Sequence, residues 1–390
     1  MRESLFHIAL AVFLLAFLPA SLQGAQQSAK PDEPEVASEL PAQDPDAQAS
    51  EEEDEKPGFL KKMPKNLLLV PIPTSTPTFG TGLILGGAWF YSQTEEQEES
   101  QPASYTGAAA GYTSNDSWFA GVMQQNYWSE DTWRFTGVAG YLDLKLDLFV
   151  PESGEDENSG LDWLVDGYLV QGRISRRIKG NWYLGATARY LDITQGLELG
   201  EDDDEFNLSS NISVAGVGLN LDYDSRDLPT NAYQGRFMEL KALTSHQTNA
   251  EDDSYQSYHA RFRSYHPLKD SLVLAWEVNG CARGGEIPLW DTCRLGLRGF
   301  SATSYLGKRS LYGQAEIRWR AYKRWGLVGF AGAGRIYDSF LGVGEGDTIP
   351  SYGLGIRFMV LESQRINVRV DYARSQNGDD AWYLSVAEAF

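Results

Sequence analysis

The sequence predicts an all-β fold: a sixteen-stranded antiparallel transmembrane β-barrel of the outer membrane, preceded by a signal peptide and a disordered acidic linker. Three observations carry this. From Asn66 onward, apolar and polar residues alternate with period two in runs of about ten residues. The links between runs alternate between short turns and longer acidic or Gly-rich loops, as in a barrel with short turns on one side of a membrane and long loops on the other. The chain also opens on an export signal. The 39 Gly, 20 Tyr, 17 Phe and 11 Trp suit such a barrel and a secreted β-sandwich equally. The loop rule and the charged second face of the strands favour the barrel, because a sandwich buries one face of each sheet and turns the other to water.

Taken in order, Arg2 is followed by an uncharged apolar run from Ile8 to Leu18 and small residues around Ala20 to Ala25. This is a secretory signal peptide over residues 1–25, cleaved near Gly24 or Ala25. A run of about eleven residues is too short to cross a bilayer as a helix. Residues 26–65 are rich in Glu, Asp, Pro, Gln and Ala with almost no periodic apolar residue. Such a stretch buries too little surface to offset its ordering entropy, so it reads as a disordered periplasmic linker. No later segment approaches the ~20 consecutive apolar residues of a membrane helix.

The barrel occupies 66–390. Its strands are expected near 66–73, 79–92, 104–113, 117–128, 133–148, 163–176, 182–195, 207–223, 234–247, 254–266, 271–282, 309–319, 326–337, 351–361, 365–375 and 381–390. The alternation is clear in Ser310–Trp319, where Leu311, Ile317 and Trp319 oppose Tyr312, Gln314, Glu316 and Arg318. It recurs in Ser271–Asn279 and Ile366–Tyr372, and in Trp133–Asp147, where Val138, Leu142, Leu144 and Leu146 oppose Asp143, Lys145 and Asp147. An even strand count brings both mature termini to the periplasmic side. It also places the long acidic link Thr94–Ala103 at the short-turn end, against the loop rule. The first strand carries Pro71 and Pro73, which cannot donate to a ladder, so its pairing with the last strand should be short. Two readings of that seam stand: a lateral opening, or an irregularity that any barrel tolerates at its first strand.

The net charge of −21 is concentrated between the strands, in Asp32–Glu55, Glu95–Glu99, Glu152–Asp162, Glu201–Glu205 and Glu251–Asp253. These are solvated loops, or contacts with divalent cations and lipopolysaccharide at the cell surface. No basic patch is available to neutralise phosphates, which excludes nucleic acid as a partner. Cys281 and Cys293 are the two cysteines. In an exported chain they read as a disulfide closing a loop of about 13 residues, worth on the order of 3 kcal/mol, or else as two buried thiols. No metal spacing, cofactor motif or catalytic constellation is found: the four His are scattered, and no Gly-x-Ser-x-Gly or phosphate loop occurs. The chain is not expected to be an enzyme.

Three motifs carry a resemblance. Leu297-Arg298-Gly299-Phe300, five strands from the C-terminus, resembles the Arg-Gly-aromatic tip of the sixth extracellular loop in the BamA/TamA-like outer-membrane family, the bacterial surface antigens. The turn from Asp222 to Gly235, with Asp224, Arg226, Asp227 and Pro229, is similar to that family's Asp-x-Arg-Asp…Pro…Gly periplasmic turn. The C-terminal Trp382-Tyr383 to Phe390 looks like the β-signal by which outer-membrane barrels are recognised for insertion. The resemblance implies that the loop folds into the lumen and that its arginine meets acidic residues on the two following strands.

The first of those acidic positions maps to Glu316. The second falls at Gly332, so the latch is expected to be weaker or completed by another group. Without the motif, Glu316 would be an ordinary lumen charge. The resemblance further implies a role in inserting or translocating outer-membrane proteins, with unfolded clients or periplasmic assembly factors as partners beside lipid and lipopolysaccharide. Residues 26–65 are too few for the periplasmic POTRA domains of family insertases, so a barrel-only member is expected. The alternative is a passive plugged pore or structural surface protein.

Overall fold

The structure, a computed structural model, describes residues 66–148, 161–199, 206–249, 253–340, 342, 344–362, 365–375 and 380–390. The expected signal peptide and linker lie outside these residues. The strands are β1 (Leu67–Thr76), β2 (Gly80–Phe90), β3 (Tyr105–Thr113), β4 (Trp118–Trp128), β5 (Trp133–Leu148), β6 (Leu161–Lys179), β7 (Trp182–Leu199), β8 (Phe206–Asp224) and β9 (Gly235–Gln247). They continue as β10 (Ser254–Lys269), β11 (Leu272–Gly285), β12 (Cys293–Arg294), β13 (Leu306–Tyr322), β14 (Trp325–Ser339), β15 (Ile349–Leu361), β16 (Ile366–Ser375) and β17 (Asp380–Val386). β12 is a two-residue strand inside the loop between β11 and β13. The other sixteen pair antiparallel with their neighbours and close into a barrel through β1 and β17.

The outward face is apolar where it meets lipid, with Leu85, Val217, Leu219, Leu354 and Ile356 exposed. Trp128, Trp133, Trp319, Tyr322 and Trp325 ring the short-turn end, while toward the other Trp118 stacks on Tyr141 and Tyr372 meets Trp382 at a tilt. Such paired aromatic belts match the two interfaces of a bilayer. Among the described residues no helix is long and apolar enough to cross a membrane.

Three of the four alternating runs turn their apolar face outward, as lipid requires. Glu277, Asn279, Gln314, Glu316, Arg318 and Asp371 are buried in the lumen. The run Trp133–Asp147 is reversed: Leu142, Leu144 and Leu146 are buried inside, while Asp143 and Lys145 face out. The reason is strand length. β6 and β8 have 19 residues each. At about 3.3 Å per residue and a tilt of about 45°, they rise roughly 44 Å, against an apolar band of about 25 Å. The far ends of β5 to β8 therefore stand in water, where the polar face belongs outside. Their inner faces form a hydrophobic cluster with Trp163, Val165, Ile193 and Val214.

The link Thr94–Ala103, which the loop rule did not account for, contains a short helix, α1 (Glu95–Ser100). Thr94 caps it with a capping box to Gln97. Gln101 then ties it to the next turn on the same end, donating to Tyr127 O at 3.1 Å and accepting from Glu130 N–H at 3.2 Å.

The seam is short. β1 pairs with β2 along its whole length, from Leu67–Trp89 to Thr76–Gly80, but with β17 through a single pair, Ser75 and Leu384. Phe90 N–H donates to Asn66 O, its direct partner in the β1–β2 register. Even-numbered residues of β1 therefore point their backbone groups at β2 and odd-numbered ones at β17. Pro71 and Pro73 are odd, so both missing donors fall on the seam.

Candidate functional site

The loop between β11 and β13, residues 286–305, folds into the lumen. It leaves β11 at Gly285, whose φ of 95° a side chain would strain. Cys281 of β11 and Cys293 of β12 form a disulfide with a Cα–Cα distance of 5.7 Å, which joins the loop to the wall.

Two anchors hold it beyond that point. At the first, Trp290 and Asp291 are both 0% exposed. Trp290 packs in the cluster of Trp163, Val165, Ile193 and Val214. The Asp291 carboxylate accepts from Arg189 Nη2 at 3.1 Å, Tyr255 Oη at 2.7 Å and Arg283 Nη2 at 3.3 Å. A buried carboxylate with three donors from three strands meets the condition for keeping a charge away from water.

The second anchor is the tip. Arg298 Nη1 donates to Asp371 Oδ2 at 2.9 Å, Nη2 donates to Gln314 Oε1 at 3.3 Å, and Arg298 forms an ion pair with Glu316. Its guanidinium carbon lies 3.4 Å from the centroid of the Phe330 ring. The second carboxylate, missing at Gly332, is thus supplied by Asp371 of β16. Gly332 leaves room for β13 and for the loop: a Cβ there would stand 2.7 Å from Gly313 O, 2.8 Å from Gln314 Cβ and 2.9 Å from Leu297 Cδ2. Glu316 also accepts from Arg318 Nε at 2.8 Å, and Asp371 from Arg357 and Arg369.

The tip spans the seam. Gly299 N–H donates to Tyr383 Oη of β17 at 2.8 Å, and Ala302 N–H donates to Thr78 Oγ1, in the turn between β1 and β2, at 2.8 Å. Phe300 meets Tyr305 edge-on at 5.2 Å between ring centroids.

The turn between β8 and β9 is tied together as a unit. Arg226 forks onto Asp224 at 2.9 and 2.7 Å and reaches Pro229 O at 3.2 Å. Burial works against the Arg226 charge, but the Asp224 hydrogen bonds outweigh it and hold the guanidinium above its usual pKa. Asp227 accepts from Tyr233 and Gln234 N–H and pairs with Arg365 at 2.6 Å, bracing this turn on the one between β15 and β16. Gly235 has φ 103°, and a Cβ there would press on the Ser225 carbonyl.

The three C-terminal residues separate. Trp382 faces outward at 61% exposure, Tyr383 faces the loop tip, and Phe390 is buried. The expected strand 381–390 in fact stops at Val386. Ala387 takes φ 70° and turns the tail inward, where Phe390 packs with Tyr265, Ala275 and Ala232. Phe390 O accepts from Arg318 Nη2 at 2.8 Å, and Glu388 accepts from Arg357 Nε at 2.8 Å. One ionic network therefore runs from the loop tip through Glu316 and Asp371 to the C-terminus.

Sequence reasoning missed Trp290, Asp291, Arg189, Arg283 and Asp371. An apolar Ile287-Pro-Leu-Trp290 stretch inside a supposedly water-facing loop was the available signal for the first anchor. Among the described residues no group of His, Cys, Asp and Glu could hold a metal ion.

No protein-family model matches the sequence, and no curated protein matches it. Solved structures do match. BamA from Haemophilus ducreyi lacking POTRA domains 1-3 aligns with a TM-score of 0.58 at 11% identity, over 83% of this chain and 70% of that one. CdiB from Acinetobacter baumannii aligns at 0.51 and 12% identity over 82% of this chain and 59% of that one. CdiB from Escherichia coli aligns at 0.50 and 13% identity over 84% and 64%. The chain thus spans less than two thirds of either CdiB chain. It has the sixteen-strand barrel fold of BamA and CdiB.

Proposed function

We propose that this chain is an outer-membrane barrel that inserts or translocates polypeptide through the β1–β17 seam, with the loop tip as its latch. The observation that carries the reading is the seam: one residue pair joins β1 to β17, and the loop tip hydrogen-bonds to both sides of it. A wall with so few ladder hydrogen bonds costs less to part there than between any other two strands. Arg298, Gly299, Phe300 and Glu316 keep the tip in place and so keep the seam shut. A client strand adding to the edge of β1 or β17 would gain the backbone hydrogen bonds that the seam lacks, the chemistry of β-augmentation. Unfolded outer-membrane proteins and periplasmic assembly factors are the partners this predicts, with lipid and lipopolysaccharide around the wall. Asp224, Arg226, Asp227, Pro229 and Gly235 brace the periplasmic mouth, and Trp382, Tyr383 and Phe390 serve as the insertion signal.

A second reading, a passive plugged barrel, is favoured by the double anchoring of the loop. Depleting the protein and taking an inventory of outer-membrane proteins separates the two. Loss of specific clients supports assembly; an unchanged inventory leaves the plugged barrel.

A further inference from the structure

The lumen holds a cavity of about 400 Å³, within the ~300–1,000 Å³ range of small-molecule sites. Its walls differ in chemistry. One is apolar, formed by Ile84 of β2, Phe119 of β4, and Leu142 and Leu144 of β5. The other is cationic: six arginines and one glutamate stand among the described lining residues, with no aspartate.

Four of those arginines have counter-charges. Arg263 pairs with Glu277, Arg283 with Asp291, and Arg298 and Arg369 with Asp371. Arg261 of β10 is half-buried and stands within the field of Glu239 and Glu277, whereas Arg294 of β12 forms no ion pair among the described residues. Arg261 Nε donates to Asn279 Oδ1 at 2.9 Å. Arg294 is 9% exposed; its Nη1 reaches Ala302 O at 3.5 Å, and its Nη2 has no partner. A guanidinium withdrawn from water without a counter-charge is costly. Although the chain's net charge is −21, no carboxylate among the described residues pairs with Arg294.

The cavity also reaches the seam. Thr76 of β1 and Tyr383 of β17 line it, on either side of the single Ser75–Leu384 pair. The part of the wall with fewest hydrogen bonds therefore borders the cavity.

We propose that this cavity binds a single-chain amphiphilic anion, its alkyl chain along the apolar wall and its carboxylate or phosphate head paired with Arg294 and Arg261. The two walls call for both halves of such a ligand: an inorganic anion would make no use of the apolar wall, and a neutral alkyl chain would leave the Arg294 guanidinium unmatched. The proposal is independent of any assembly role.

The test is calorimetric titration of the folded full chain in nanodiscs, with empty nanodiscs as the blank. The probes are dodecanoate, dodecyl phosphate, dodecanol and inorganic phosphate. One saturable site is expected for dodecanoate, dodecyl phosphate or both, and which of the two binds tighter identifies the head group. Dodecanol and inorganic phosphate should bind about tenfold more weakly or worse, the scale of one charge-assisted hydrogen bond. Arg294→Gln should weaken the anionic amphiphiles about tenfold and leave dodecanol unchanged. If Arg294→Gln does not fold, Arg261→Gln should give the same selective loss to a smaller degree. No saturable site, equal affinity for dodecanol, equal affinity for inorganic phosphate, or an unchanged affinity in the folded arginine variant would each overturn the proposal.

Discussion

At the level of single residues, the loop tip is held by a charge network in which Arg298 and both of its carboxylates have more than one partner. Arg298 meets Glu316 and Asp371, and these carboxylates also hold Arg318, Arg357 and Arg369. Removing Glu316 takes the ion-pair partner from buried Arg318 and one of two from Arg298; breaking a buried pair typically costs ~3–5 kcal/mol. Glu316→Ala should therefore lower the unfolding midpoint and make the loop cleavable by protease added outside intact cells; unchanged protease resistance would sink the pairing. Because Asp371 remains, the double variant Glu316→Ala/Asp371→Ala should lose more than either alone, but less than their sum if they act through Arg298.

A second residue-scale prediction concerns pH. Asp131, in the turn between β4 and β5, is buried, which alone would raise its pKa. Hydrogen bonds from Arg134, Tyr183 and Arg177 prevail and hold it below the usual carboxylate range. A depressed folded pKa gives stability that is present above the unfolded value of about 3.9 and lost as pH falls through the folded one. The stability gap between wild type and Asp131→Asn should therefore be full at neutral pH and shrink below about pH 4. A gap independent of pH would contradict this.

At the scale of the element, the loop between β11 and β13 is fixed as much by burial as by charge. Trp290 is withdrawn from water in a cluster of large apolar side chains. Trp290→Ala should cost about 3–5 kcal/mol, read as a lower thermal midpoint of the folded barrel in detergent. A loss below ~1 kcal/mol would mean that the cluster collapses onto the gap.

Legibility in the sequence divides along the same line. Alternation together with the need for an even count made the sixteen barrel strands visible, the first of them (66–73) by parity, and the Arg-Gly-Phe tip pointed to Glu316. Asp371 was not visible: it lies 73 positions from Arg298, and only barrel closure brings β16 beside the tip. The reversed faces of β5 escaped for a related reason. Period two shows which residues share a face but not whether that face meets lipid, lumen or water, and the answer changes along a strand longer than the bilayer is thick.

At the scale of the whole molecule, the barrel combines a firm wall with one weak place. β5, β6, β7 and β8 pair along nearly their full length, whereas β1 and β17 share one pair, because both prolines of β1 present their nitrogen to the seam. The loop tip, held from Thr78 on one side and Tyr383 on the other, bridges that place from inside. Freeing the tip should open the lumen: Arg298→Ala is expected to raise conductance in planar bilayers above that of wild type, and equal conductance would show that the Trp290 anchor alone closes the pore.

The proposed activity requires the β1–β17 seam to open. The most direct measurement is a reversible lock, Ser75→Cys with Leu384→Cys, placed at the one residue pair that joins β1 to β17. With the crosslink formed in cells, the outer-membrane protein inventory should match that of the depleted strain, and reductant should restore it. A crosslinked barrel that sustains the full inventory would contradict the account.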